Sequence, residues 1–303
     1  MSNYYFYNVH GLNIKSSFFF PELIEGNMDV DAVIYFEKPN LFDITPIKPK
    51  SDFSKIVFSS QDILYLYDNQ PLFRVRKGAE IIVNPKVKID LIFLRYLILG
   101  QGIGTLLMQR GNLVLHASSV NMGGEAVVFI GLCGYGKSTI ATALNQRGYS
   151  FITDDVLRIE FQDNKKTLAF PSYPASKLWN DTITNLNHEK VSFINIHPDV
   201  EKFSFNINNF SKKPLPIKTI YVLENSKKNE IISLKSQEAL MALIKNSYAM
   251  FLFDIKNKSR NLFQCAKLAN NVPIKYLKRR ESLKEIQLLI KMIENDIFNS
   301  INL

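Results

Sequence analysis

Gly131-Leu132-Cys133-Gly134-Tyr135-Gly136-Lys137-Ser138 fits the pattern G-x-x-x-x-G-K-[ST] at every fixed position. Ala126–Ile130 before it is an apolar run with two valines and one isoleucine, long enough for a buried strand. Thr139–Leu144 after it reads as the start of a helix. Strand, glycine loop and helix are the context in which this pattern holds phosphate. Glycines let backbone N–H groups turn inward around an anion, and the helix N-terminus adds its positive end. Gly131, Leu132, Cys133, Gly134, Tyr135, Gly136, Lys137, Ser138 and Thr139 are therefore the nucleotide-binding candidates. Lys137 reaches for the β- and γ-phosphates, and the Ser138 hydroxyl is a candidate ligand of Mg²⁺.

The bulk of the chain sets the frame around that loop. The 303 residues are 46% hydrophobic and 21% charged, the balance of a globular protein with a real core. The net charge of +9 favours anionic partners. No arginine-rich tail or zinc-finger spacing is present, so nucleic acid is not an expected partner. Two cysteines, Cys133 and Cys265, are too few for a disulfide framework and fit a reducing, cytoplasmic setting. Met1–Tyr7 lacks the pattern of a signal peptide. The apolar stretch Leu91–Met108 contains Arg95 and Gln101, ends beside Gln109, and is interrupted by Gly100, Gly102 and Gly104. It predicts a buried core helix rather than a membrane span.

Residues 1–88 read as a β-rich domain. Short apolar runs at Ala32–Phe36, Ile56–Phe58, Ile63–Tyr67, Phe73–Val75 and Ile81–Val83 are separated by turn residues such as Lys38-Pro39-Asn40 and Asp68-Asn69-Gln70. This spacing predicts an antiparallel sheet. The aromatic residues Tyr4–Tyr7 and Phe18–Phe20 read as packing. Residues 89–303 read as an α/β catalytic domain. Leu113–Val120 is an expected strand, followed by the turn Asn121–Gly124. Ser150–Thr153 is another, ending in Asp154-Asp155. Leu157–Phe161 and Thr167–Phe170 read as a hairpin across Asp163-Asn164-Lys165, and Pro171–Trp179 as an irregular loop. Residues 180–216 give no clear pattern. Ile217–Leu223, Glu230–Leu234 and Pro273–Leu277 are strand-like, and Glu238–Phe251 is an expected helix. A capping box at Ser282–Glu285 opens a C-terminal helix with Leu289, Ile290, Ile293 and Ile297 on one face.

His116 lies on the strand before the glycine loop, and Asp154 and Asp155 end the strand after it. Ligands of a parallel α/β sheet bind beyond the carboxyl ends of its strands. The two aspartates are therefore expected to face the phosphates. One carboxylate is suited to holding Mg²⁺ and the other to accepting a proton from an attacking hydroxyl. His10, His188 and His197 read as packed side chains.

The segments Leu115–Ser118, Gly131–Ser138 and Arg147-Gly148-Tyr149-Ser150-Phe151-Ile152-Thr153-Asp154-Asp155 resemble the catalytic core of the HPr kinase/phosphorylase family. That family shares its nucleotide-site fold with ATP-dependent phosphoenolpyruvate carboxykinase. The resemblance implies a P-loop kinase core, with ATP and Mg²⁺ as cofactors. It implies Asp155 as general base, His116 assisting it or orienting phosphate, Lys137 on the phosphates, and Ser138 and Asp154 on the metal. The family's glycine-rich segment with a metal-binding glutamate is expected near Asn180. Pro171–Trp179 stands there instead, with Asp181 as a candidate replacement. Gly11–Ser16 with Pro21-Glu22-Leu23, Tyr173-Pro174 with Lys177-Leu178-Trp179, and Val272–Leu277 resemble a branch found in biosynthetic clusters of lasso and related ribosomal peptides. That branch phosphorylates a serine of a precursor peptide. The resemblance thus implies a serine kinase acting on a peptide or protein substrate, without a membrane partner, and leaves a homo-oligomer open. HPr itself as substrate, a regulatory nucleotide-binding module, and a small-molecule kinase or carboxykinase are the alternatives.

Overall fold

The computed structural model describes residues 4–37, 53–163, 166–185, 193–197, 200–248, 255–280 and 285–298. The turn at Lys38–Asn40, the tip at Asn164-Lys165, His188, positions 249–251 and positions 282–284 of the expected capping box lie outside them. The architecture is mixed α/β with several sheets.

The first sheet contains Tyr5–Val9 (β1), Leu12–Ser16 (β2), Ile24–Glu25 (β3), Ala32–Phe36 (β4), Phe53–Ser59 (β5), Asp62–Tyr67 (β6), Gln70–Arg76 (β7) and Glu80–Val83 (β8). Their spatial order is β3-β1-β2-β4-β8-β7-β6-β5. The sheet is mixed rather than antiparallel, because β4 pairs in parallel with both β2 and β8. The meander β5 to β8 folds back so that its last strand, not its first, lies beside β4. The hairpin β1–β2 stands where the sequence reads only as aromatic packing. Its signal is alternation, with Leu12, Ile14 and Ser16 of β2 all buried.

Leu91–Leu97 (α1), a π-helical turn at Ile98–Gly102 and Ile103–Gln109 (α2) make one continuous helical run. Asp90 caps it, its carboxylate accepting from the Phe93 N–H at 2.9 Å. The run is long and apolar enough to cross a membrane by length and composition. It is instead a core helix, with Phe93, Leu97, Leu106 and Leu107 packed against Phe73, Ile81 and Val83 of the first sheet. The glycines do not break it. Gly104 permits close approach, since a Cβ there would sit 2.3 Å from the Tyr248 ring.

The second sheet surrounds the glycine loop. Its strands are Leu113–Leu115 (β9), Ala117–Met122 (β10), Glu125–Ile130 (β11), Ser150–Thr153 (β12), Leu157–Phe161 (β13) and Thr167–Phe170 (β14), joined later by Leu215–Asn225 (β18), Glu230–Ser233 (β19) and Ile274–Arg279 (β20). Lys137–Gln146 (α3) follows the loop. Between β14 and β18, Ala175–Trp179 (β15), Ile194–Asn195 (β16) and Lys202–Asn206 (β17) form a small third sheet, with Asn180–Asn185 (α4) after β15. The remaining helices are Ser236–Lys245 (α5), Ile255–Asn271 (α6) and Ile286–Phe298 (α7). Alternate side chains of β11 go to opposite cores. Val127 and Phe129 meet Ile140 and Leu144 of α3 and Ile290 of α7, while Ala126, Val128 and Ile130 meet Leu243 of α5 and Leu268 of α6.

Several expectations change here. The single strand Leu113–Val120 is two strands that bend at His116. The expected loop Pro171–Trp179 ends in β15, which among the described residues gains its ladder from β17, about 25 residues further on. The helix expected to reach Phe251 ends at Lys245. Helix α6 escapes the apolar period because it is patterned in reverse at its centre. Asn261 is buried and donates to Ser247 at 3.2 Å, while Leu262 and Phe263 face solvent.

Gly104→Ala should lower stability by about 1–3 kcal/mol, the range for forcing an extra carbon into a packed contact. Urea midpoints compared with wild type read this directly. An unchanged midpoint would mean that the Tyr248 ring yields freely.

Candidate active site

The direction of the strands assembles the site. Strand β10 is antiparallel to both β11 and β12, so those two run the same way on either side of it. Their carboxyl ends, leading into Gly131 and Asp154, therefore lie beside the beginning of β10. The register makes this concrete, with Ala117 opposite Ile130 and Ser119 opposite Thr153. The chain then turns twice at one place. It bends at His116 between β9 and β10, and at Asp154-Asp155 between β12 and β13. Strands β9 and β13 pair beyond the bend, Leu115 against Leu157. The expected fully parallel arrangement is thus replaced by a mixed sheet, yet both aspartates still face the glycine loop.

In the loop, Gly136 caps α3 at φ 87°, and a Cβ there would meet the Arg279 guanidinium at 3.1 Å. A glycine satisfies both demands. Arg279 Nε donates to the Tyr135 carbonyl at 3.0 Å and holds the loop from the end of β20. The Lys137 ammonium donates to the carbonyls of Gly131 (2.8 Å) and Leu132 (3.1 Å). Burial lowers its pKa, against the pull of Asp154, Cys133 and Asp155. Gly134 has nothing within 4 Å of a built Cβ, so the cradle is open there. Thr139 is buried and lines the same cleft, while the Leu132 side chain is exposed. Cys133 is exposed in the loop and Cys265 buried in the core, both as free thiols.

Asp154 is saturated with donors. Ser118 (2.6 Å) and Ser138 (2.7 Å) donate to Oδ1; Ser176 (3.2 Å) and the Lys177 N–H (2.9 Å) donate to Oδ2. Asp155 turns into the cleft at φ 81°, a left-handed conformation that costs a non-glycine residue about 1–2 kcal/mol. The Lys177 ammonium lies 3.0 Å from its Oδ2, and His116 Nδ1 lies 3.1 Å from its Oδ1 and 3.0 Å from its carbonyl oxygen. Burial alone would push the Asp155 carboxyl up. Lys177, His116 and Lys202 outweigh it and hold the group well below the usual carboxylate range. Burial pulls the Lys177 ammonium down, but Asp155 with Tyr173 and Tyr96 raises it well above its ordinary value.

These groups line a cleft of about 470 Å³. The lining takes in the glycine loop, Lys137, Ser138, Asp154, Asp155 and His116, together with Phe93, Tyr96, Trp179, His197, Lys202 and Tyr248. The second of these groups is what sequence reasoning missed. Lys177 stands in a segment read as loop, and Lys202 in one with no readable pattern. His197, expected to be only packed, stacks edge-on against Phe93 within the cleft wall. The side chain of Asp181, the candidate replacement for the family glutamate, lies outside the described residues.

The donor set fits Mg²⁺. Ser138 Oγ and Asp154 Oδ1 are hard oxygen donors on the loop side of the cleft. Among the described residues no cluster of three or more His, Cys, Asp or Glu could hold a metal. Mg²⁺ asks for no such cluster, since it takes one or two protein oxygens and completes its shell with phosphate and water.

No family model and no curated protein matches this chain. Among solved structures, the Hpr(Ser) kinase/phosphatase from Coxiella burnetii is similar over 62% of this chain and 99% of that one, at 10% identity and a TM-score of 0.35. At that level of likeness, the reading of the site rests on its own residues.

Because Asp155 titrates lower in the folded chain than in the unfolded one, the unfolded chain binds more protons as pH falls through the carboxylate range. The associated stability is present above about pH 5 and is lost on acidification. Urea midpoints between about pH 5 and 3 should fall more steeply for wild type than for Asp155→Asn. Parallel curves would show no such linkage.

Proposed function

We propose that the protein is an ATP- and Mg²⁺-dependent kinase that transfers the γ-phosphoryl group to a serine hydroxyl of a peptide or protein. The observation that carries this reading is the pairing of Lys137 and Ser138, at the start of the helix after the glycine loop, with Asp154 and Asp155 at the end of β12. Two adjacent carboxylates are there given different surroundings. Asp154 is enclosed by hydroxyls and a backbone N–H, while Asp155 faces the cleft between the Lys177 ammonium and the His116 imidazole. That division suits one carboxylate for metal support and the other for the acceptor hydroxyl.

The roles follow from position. The loop amides and Lys137 take the phosphates, with Lys137 exchanging its loop carbonyls for phosphate oxygens. Ser138 and Asp154 would hold Mg²⁺, which neutralises charge on the phosphates when bound. Asp155, oriented by His116 and Lys177, receives the acceptor hydroxyl. A new P–O bond forms to the acceptor, the bond to the β-phosphate oxygen breaks, ADP leaves, and the hydroxyl proton passes to Asp155. The transition state of phosphoryl transfer is loose, and catalysis rests on positioning and charge neutralisation. A weakly basic carboxylate is adequate for that task.

The acceptor we infer is a ribosomally made precursor peptide of the lasso type. The outer sequence motifs around Gly11–Ser16, Tyr173–Trp179 and Val272–Leu277 support it. In this reading the kinase works in the cytoplasm, without nucleic acid or membrane.

Lys137→Ala should reduce transfer by about 10²–10³-fold, as expected for removing a preorganised positive group. Asp155→Asn should keep ATP binding and lose about 10²–10⁴-fold in transfer. Mass spectrometry of serine-terminated precursor peptides and HPr after incubation with ATP and Mg²⁺ reads both, through a gain of about 80 Da per phosphate. Full activity in Lys137→Ala would sink the phosphate-loop assignment, and full activity in Asp155→Asn would require another base.

A further inference from the structure

Among the described residues three lysines reach the cleft, and their surroundings differ. Lys137 is held by two loop carbonyls and Lys177 by the Asp155 carboxylate. Lys202 donates to the Tyr96 hydroxyl at 3.1 Å and lies 5.3 Å from the Tyr96 ring centre and 5.7 Å from that of Trp179. Among the described residues no carboxylate pairs with it. Trp179 is its partner across the β15–β17 ladder, so the cation and the ring are held in register by backbone hydrogen bonds.

A half-buried ammonium hydrogen-bonded to a neutral oxygen has lost hydration without gaining a direct ion pair. Such a group is poised for an anion. Burial pulls its pKa down, but Tyr96 and Asp155 more than offset this, so the charge persists. Its position indicates which anion. Lys137, Ser138 and the glycine loop line the same cleft and are the phosphate-binding groups. Lys202 stands among Tyr96, Trp179, Phe93 and His197, surfaces that suit an organic group. Lys202 and Lys177 share the Tyr96 ring as a neighbour, Lys177 Nζ lying 4.8 Å from its centre, and Lys177 in turn pairs with Asp155.

We propose that Lys202, framed by Tyr96 and Trp179, is a subsite for a carboxylate of the acceptor, next to the hydroxyl that is phosphorylated. The proposal rests on the kinase reading above and names the acceptor's chemistry. The carboxylate is either an acidic side chain beside the serine or the chain-terminal carboxyl of a final serine.

Two peptide pairs test it. One is a serine peptide flanked by glutamates and its glutamine twin; the other ends in serine as the free acid or as the amide. Wild type should bind the carboxylate member of at least one pair about tenfold or more tightly, the range of a charge-assisted hydrogen bond. Calorimetry reads this without ATP, and KM in the transfer assay reads it with ATP and Mg²⁺. The preference should collapse in Lys202→Met and return in Lys202→Arg, which also controls for folding. Which pair shows it tells side chain from terminus. Equal binding of both pairs by wild type would overturn the proposal, as would a preference that survives Lys202→Met. Equal loss on both members with a raised KM for ATP would also overturn it, placing Lys202 on the transferred phosphoryl group. An intact preference in calorimetry with no transfer to any peptide would support the subsite and sink the kinase reading alone.

Discussion

Lys177 holds two neighbouring carboxylates with two different parts of itself. Its backbone N–H donates to Asp154 and its ammonium to Asp155. With only 6% of its side chain exposed, Lys177 makes these contacts away from bulk water, where charge-assisted hydrogen bonds are at their strongest. The constraint sets more than the two aspartates. It fixes β15 against the end of β12, and with β15 the small sheet that contributes Lys177, Trp179 and Lys202 to the cleft. Breaking a buried pair by removing one partner costs about 3–5 kcal/mol. Lys177 therefore has a structural stake as large as any catalytic one.

The double bend of the second sheet explains why that clamp has something to hold. Two chain segments pass from one half of the sheet to the other at the same point, and the residues at the bends are His116 and Asp154-Asp155. A bend frees side chains from the alternation of a strand. Asp155 uses that freedom at the expense of a left-handed backbone, and the ion pair with Lys177 and the contact with His116 offset the strain. The glycine loop sits across from them because β11 and β12 share a direction while β10 between them runs backwards.

Much of this was legible in the chain. The glycine loop, the strand before it and the helix after it follow from local chemistry, and so does the C-terminal helix with its regular apolar stripe. His116, Asp154 and Asp155 could be singled out because each stands at a fixed distance from the loop. The elements that escaped are those whose stability comes from distant partners. Strand β15 has two prolines just before it and, among the described residues, pairs only with β17. Helix α6 buries an asparagine and exposes a phenylalanine, so its apolar period is broken. The reversed direction of β10 was marked by the short turn Asn121–Gly124 that joins it to β11, but its pairing with β12 on the other side depends on register across the sheet.

The amino-acid sequence by itself determined the phosphate-type loop and the two carboxylates that follow it, because glycine conformations and strand–loop–helix order are properties of adjacent residues. Tertiary structure alone decided what surrounds them. Lys177 and Lys202 lie far along the chain from Asp155 and reach it only when β15 and β17 fold over the cleft. Their charges act through space rather than through sequence. It is that through-space arrangement that sets how Asp155 titrates and what kind of group can lie beside it.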